Sequence, residues 1–593
     1  MLTPEDRGTL LEILEPPEGL VLDAAIGLTY TLDLKALLSI PTAFAVTGAG
    51  SMTESGSIMP PLELLDALRN YADLVTVYAD SSGLTVPSQA QSGIFSLVER
   101  CVVPVRAPRG GVFHPKLWAV RFRDGADYVS HRLVISSRNL TFDRSWDTAV
   151  VLEETTATTG YSMPAVAELL EAMGAGELAV GDPDPARADR TLDVADTVKG
   201  ACFEAPADFD RMTFHHLGLS AHQRPKSPLP REARSALVVS PFLKRQRLTS
   251  LPVPWDSLTV VSRADELDRE FFDHVAAGDV PRSLEITPSV DDVSEDQTAL
   301  LSGLHAKIWV FNEAAGRSRV LIGSANATNA AFESNVEILL ELGGPTAKVG
   351  VARWTEGDES MAPLLVTHYW KEPEVESTDH ADLLDQLRRD VASWPLHGTV
   401  EPRDDGRNSV RFWLETPLTV PPGVVIRLRP LALATWTAVE GGALDAEFIL
   451  DTASISAFLA IRLESAGVVN EFLLKADLEG IPADRDAKIL ASLLASPERL
   501  VRYLLLLLTD PLDDRFSGDS QRAIDRARRT PRASLPSIPL LEVMARALVR
   551  QPERLRDVDR LMSELERGAD DFDVELLQLW RSVRTAAGFG DET

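Results

Sequence analysis

One long segment occurs twice in this chain, and that repeat constrains the fold more than any other feature. The first copy reads FHPKLWAVRF and then, after a short turn region, RLVISSRNLTFDRSWDTAVVLE. The second reads LHAKIWVFNE and then SRVLIGSANATNAAFESNVEILLE. Alignment places His114 on His305, Lys116 on Lys307 and Trp118 on Trp309, an offset of 191 residues (305 − 114), and Ser137 on Ser324, Asn139 on Asn326 and Thr141 on Thr328, an offset of 187 (324 − 137). Such a period is too long for a solenoid and fits two fused domains. Each copy reads as a β-hairpin, because its runs are rich in strand formers and turn residues separate them.

In a regular strand, residues i, i+2 and i+4 share a face. His114, Lys116 and Trp118 are therefore expected to point one way, and His305, Lys307 and Trp309 likewise. An imidazole beside an ammonium is a poor core and a good grip on a phosphate. The SSRN and GSAN turns at the end of the paired strand bring Ser137, Asn139, Ser324 and Asn326 back beside the histidines, with hydroxyl and amide donors. Arg138 either touches a phosphate or points into solvent, and Trp118 and Trp309 either stack a base or acyl group or pack as strand aromatics; all three count as substrate-binding candidates.

H-x-K followed by [GS]-S-x-N, twice in one chain, resembles the phospholipase D superfamily over residues 20–370. That family includes phospholipases, transphosphatidylases, tyrosyl-DNA phosphodiesterases and metal-free nucleases. The resemblance implies a phosphodiesterase that uses neither metal nor cofactor. One histidine attacks phosphorus to form a phosphohistidine; the other protonates the leaving oxygen and then activates water. Lys116, Lys307, Asn139 and Asn326 would bind the non-bridging oxygens. The family's Asp five residues after the lysine is missing, replaced by Arg121 and Asn312. Glu337 stands where the family places the carboxylate that bonds a catalytic histidine; Ala149 aligns with it in the first half, where Asp147 or Glu153 could stand in. An oriented histidine is the better nucleophile. The expectation is therefore His305 as nucleophile with Glu337 behind it, and His114 as acid/base.

The fold class expected is α/β: two pseudo-symmetric lobes at 1–200 and 201–375, a linker at 376–405, a small β-rich module at 406–480 and an α-helical domain at 481–593. Strand-like runs such as SVRFWLE, AEFILD and SAFLAIRLE mark the β-module, and helical spacing marks the last stretch. No catalytic constellation stands out in this C-terminal third. GAGSM (48–52) is a weak phosphate-cradle candidate. No G-x-x-x-x-G-K-[ST] or G-x-S-x-G motif is present, which argues against an NTPase or a serine hydrolase of that type.

The two cysteines, Cys101 and Cys202, offer neither a disulfide scaffold nor a zinc-ligand spacing. The acidic start of the chain is unlike a secretory leader, and the most apolar run, Leu504–Leu508, is far short of the ~20 residues that span a bilayer. A soluble cytoplasmic protein without membrane contact is expected. A net charge of −30 argues against a generally basic surface. Local basic runs at 100–123 and 224–247 nevertheless flank the motifs.

The favoured reading is a nuclease acting on DNA or RNA. Its layout resembles large bacterial phage-defence proteins that work beside a helicase. The alternatives are a non-catalytic scaffold for nucleic acid or a partner, and a phospholipid hydrolase or transferase.

Overall fold

In a computed structural model of the chain, the two copies of the repeat lie in two different sheets. The structure describes residues 9–45, 67–87, 92–125, 129–142, 145–222, 225–286, 303–357, 360–373, 379–439, 442–494, 552–568 and 580–585, with Leu500, Leu504 and Met544. The architecture is mixed α/β with several sheets. Among the described residues, no helix is long and apolar enough to cross a membrane.

The first sheet contains β1 (Val21–Thr29), β2 (Val75–Asp80), β3 (Val102–Val105), β4 (Leu117–Arg123), β5 (Val129–Ser136) and β6 (Ala149–Glu153), in the order β3-β2-β1-β4-β5-β6. The second contains β7 (Arg211–Leu217), β8 (Ser235–Val239), β9 (Leu258–Ser262), β10 (Arg282–Ile286), β11 (Ile308–Asn312), β12 (Arg317–Gly323), β13 (Glu337–Pro345) and β14 (Leu365–Thr367), in the order β7-β13-β12-β11-β8-β9-β10-β14. Read from β10 to β13, the second order repeats the first. The pairings repeat too: β1/β2 and β2/β3 are parallel, as are β8/β9 and β9/β10. β1/β4, β4/β5 and β5/β6 are antiparallel, as are β8/β11, β11/β12 and β12/β13.

The sheets share one core. Ile26, Leu117, Leu133 and Ile135 of the first belong to the same buried cluster as Val239, Ile308, Val320 and Ile338 of the second. Each sheet also buries its other face: Trp118, Val120 and Phe122 pack with Leu37 and Ile40, while Trp309 and Phe311 pack with Leu267 and Phe271. Burial on both faces explains the near-continuous apolar runs in these strands.

That packing corrects the reading of the two tryptophans as substrate-binding residues. β4 begins at Leu117 and β11 at Ile308, so His114, Lys116, His305 and Lys307 precede the regular strands. Strict alternation does not extend back to them, and each tryptophan enters a core away from its H-x-K. Trp118 lies over Gly27, its partner across the β1/β4 ladder. Trp309 donates from Nε1 to the Ala325 carbonyl at 3.3 Å. A Cβ at Gly27 would stand 2.8 Å from the Trp118 ring. Gly27→Ala is therefore expected to destabilise the protein by about 1–3 kcal/mol through overpacking, read as a lower denaturation midpoint. An unchanged midpoint would contradict this packing.

The third sheet has seven strands, β15 (Leu396–Pro402), β16 (Asn408–Trp413), β17 (Val425–Pro430), β18 (Thr437–Ala438), β19 (Asp445–Leu450), β20 (Phe458–Ser465) and β21 (Val468–Glu479). The segment expected as a linker carries regular structure: α1 (Asp379–Ala392) packs Leu384, Leu387 and Val391 into this sheet's core, and β15 pairs with β21. The third sheet also closes one side of the first. Phe458, Ala460 and Leu473 join the cluster around Trp118. Glu99 is buried between the Ala457 N–H (2.9 Å) and the Arg485 guanidinium. Beyond that point Arg485–Leu493 and Pro552–Gly568 are helical. Most of 481–593 lies outside the described residues, as does GAGSM.

Candidate active site

Each histidine is set by a backbone link to the opposite sheet. The His114 N–H donates to the Val336 carbonyl (2.9 Å), and the Val336 N–H donates to Val112 (3.0 Å). The His305 N–H donates to the Trp146 carbonyl (2.9 Å), and the Trp146 N–H donates to Gly303 (2.8 Å). Val336 precedes Glu337 and Trp146 precedes Asp147, so each link presents a carboxylate to the histidine of the other sheet. Glu337 Oε2 lies 2.9 Å from His114 Nδ1, and Asp147 Oδ1 lies 3.9 Å from His305 Nδ1.

This geometry overturns the expected pairing of Glu337 with His305. Glu337 serves His114, and Asp147, one of the two stand-ins the sequence offered for the first half, faces His305 instead. The alignment slipped because the serine-to-acid spacing differs. Ser137 Oγ donates to Asp147 ten residues on (3.0 Å), whereas Ser324 Oγ donates to Glu337 thirteen residues on. The short helix Asn329–Glu333 fills the longer connection. Anchoring the alignment on the serines and their acids matches Asp147, rather than Ala149, to Glu337. Glu153, the other candidate, pairs with Arg132 at 2.6 Å.

Ser137 and Ser324 are also corrected as substrate contacts. Both are fully buried, and their hydroxyls hold the two carboxylates. Arg138 reaches the same acid, 3.5 Å from Asp147, and donates to the Thr141 carbonyl at 3.3 Å. Asn139 and Asn326 are half-buried. Asn139 Oδ1 accepts from the Thr31 N–H (3.4 Å), while Asn326 Oδ1 is buried without a protein partner among the described residues.

Lys116 and Lys307 are 2% and 3% exposed, too little for water to solvate their charge. The Lys116 ammonium donates to the His114 carbonyl at 2.8 Å. Burial and then Lys307 push its pKa well below the usual lysine value, against the pull of Glu337, Asp147 and Asp80. His114 is lowered to about 4: burial dominates, Lys116 and Lys307 add to it, and Glu337 opposes it. Burial raises the Glu337 carboxyl, but His114, Lys116 and Ser324 together hold it below the ordinary range. At neutral pH His114 is thus an uncharged imidazole whose Nδ1–H donates to Glu337, which leaves the Nε2 lone pair available. His305 differs: its side chain is 29% exposed.

Tyr30 and Asp80 escaped the sequence reading. The Tyr30 ring is 5.4 Å from the His114 ring and 5.9 Å from the Lys116 ammonium. Asp80 ends β2 and accepts from the Phe113 N–H at 2.7 Å. No motif marks either; the fold brings both to the site. The two positions that lack the family's Asp have structural partners instead. Arg121 pairs with Asp23 and Asp193, and Asn312 bonds Ser235 and Ser318.

No protein-family model matches the chain, and no curated protein matches it. Among solved structures, yeast tyrosyl-DNA phosphodiesterase is similar at 11% identity, covering 57% of this chain and 88% of that one, with a TM-score of 0.33. A histidine-substituted mutant of yeast tyrosyl-DNA phosphodiesterase 1 gives 10%, 57%, 86% and 0.35. A likeness this distant leaves the functional reading to rest on the site itself.

Proposed function

We propose that the chain is a phospholipase D-type phosphodiesterase built from two pseudo-symmetric lobes, with one active site between them, and that its substrate is a nucleic acid. The observation that carries this reading is the buried His114 bonded to Glu337 across the two sheets, beside the two buried lysines Lys116 and Lys307. Two like charges held out of water are costly unless they bind an anion. A phosphodiester supplies that anion.

In the reaction proposed, His114 Nε2 attacks phosphorus and forms a P–N bond. The P–O bond to the leaving group breaks, and His305 gives that oxygen its proton. Water then attacks phosphorus, His305 takes the water's proton, and the P–N bond breaks to release the phosphate product. Lys116, Lys307, Asn139 and Asn326 hold the non-bridging oxygens as charge builds. Glu337 fixes the tautomer of His114, and Asp147 steadies charged His305. This reverses the histidine roles expected from sequence, because burial and the tight carboxylate bond fall on His114, while His305 keeps access to water.

The attacking form of His114 is neutral, and its pKa is lowered to about 4. Activity is therefore present above that value and lost as pH falls through it. The acid limb of kcat/KM is expected well below pH 6.5, with substantial activity at pH 5.5. An acid limb at 6.5 or above would contradict the assignment. A nucleic-acid substrate is favoured over a lipid by the polar surroundings of the site and the basic runs in the sequence. The cytoplasmic setting, the helicase partner and the defence role belong to the same proposal and rest on sequence layout alone.

A further inference from the structure

A cavity of about 530 Å³ opens beside the His114 segment, between the first sheet's loops and α1. Gly111 and Val112 line it immediately before His114, and so does Asp80, which holds the Phe113 N–H. The opposite wall is α1, with Gln386 and Arg389, and Arg106 reaches across to the Ser393 carbonyl at 3.2 Å. Arg106 and Arg389 form no carboxylate ion pair among the described residues, whereas the adjacent Arg388 lies 3.4 Å from Asp385. Among the described residues, Arg389 donates only a 3.1 Å bond to Gln386. The preceding residue, Arg388, donates to the Tyr30 hydroxyl at 3.4 Å, and Tyr30 lies against His114. The helix that opens the third-sheet module therefore forms a wall of the catalytic region.

We propose that this cavity is a second phosphate subsite, in which Arg106 and Arg389 hold the backbone of a polynucleotide next to the phosphodiester at His114. The proposal rests on the phosphodiesterase reading above and gives the C-terminal module a part in substrate binding. Guanidinium groups suit this task, since they stay charged and match phosphate oxygens in pairs. The lining is mainly polar, which fits a sugar–phosphate chain better than an acyl chain. Asp80, Glu177 and Asp390 also line the cavity and oppose anion binding. Glu177→Gln should therefore tighten it.

The test uses the full chain with two readouts: fluorescence anisotropy with a labelled single-stranded oligonucleotide, and turnover of bis(p-nitrophenyl) phosphate, which carries a single phosphate and no neighbouring one for the cavity. For the Arg106→Gln/Arg389→Gln double variant, oligonucleotide affinity should fall about tenfold or more. The slope of log affinity against log salt should shrink by about 1.4, the value for two lost phosphate contacts on a single strand. Small-diester turnover should stay at the wild-type rate, and Arg→Lys changes should restore part of the affinity. Unchanged oligonucleotide affinity would overturn the subsite, as would an equal loss of small-diester turnover. Arginine-dependent binding of phosphatidylglycerol vesicles without arginine-dependent oligonucleotide binding would also overturn it. A wild-type chain that fails to turn over the small diester would refute the phosphodiesterase reading, while the anisotropy comparison would still decide the cavity.

Discussion

Replacing His305 with alanine is expected to leave a phosphorylated enzyme with the phosphate on His114, and replacing His114 is expected to abolish phosphorylation altogether. The leaving group decides how this is seen. A nitrophenolate departs without a proton donor, so His305→Ala should still form the P–N bond with bis(p-nitrophenyl) phosphate. Without His305 to activate water, the second step should slow by about 10²–10⁴-fold. The expected record is a burst of one nitrophenol per site followed by a slow steady state. His114→Ala has no nucleophile and should lose about 10⁴-fold or more in turnover with every substrate. Mass spectrometry of peptides kept at alkaline pH locates the phosphate. Phosphate on His305, or a burst that survives in His114→Ala, would return the roles to those suggested by sequence.

The second large effect belongs to Glu337. It is fully buried and meets His114, Ser324 and Asn335. A glutamine there keeps the shape but removes the charge and half of the acceptor capacity, so the Nδ1–H tautomer of His114 is no longer enforced. Turnover should fall about 10²–10⁴-fold, the range associated with a wrongly presented imidazole. Glu337 also raises the His114 pKa, so its loss should move the acid limb to still lower pH. A merely structural role would lower stability without moving that limb. Asp147→Asn should cost less, because its 3.9 Å contact with His305 is looser and His305 is partly solvated. An Asp147→Asn effect larger than that of Glu337→Gln would contradict the assignment of His114 as nucleophile.

The repeat made much of this site legible before any coordinates. His114, Lys116, His305 and Lys307 stood out as candidates because their spacing repeats, and the strand runs around them stood out because burial on both faces makes them apolar. Trp118 and Trp309 were misread because the H-x-K residues sit just before the strands, where the face rule does not hold. Asp147 and Glu337 were each assigned to the wrong histidine for a related reason. Both acids act across sheets, through the links at Trp146 and Val336, and a single hairpin carries no trace of that contact. Tyr30 and Arg388 are 358 residues apart. Only the packing of α1 against the first sheet brings them together.

The most direct measurement is cleavage of single- and double-stranded DNA and RNA in excess EDTA by the wild-type chain, His114→Ala and His305→Ala. The expected result is cleavage of at least one of these nucleic acids by the wild type, undiminished by EDTA, and lost in His114→Ala and strongly reduced in His305→Ala. Cleavage that EDTA abolishes, or that both variants retain, would contradict a histidine-based phosphodiesterase at this site.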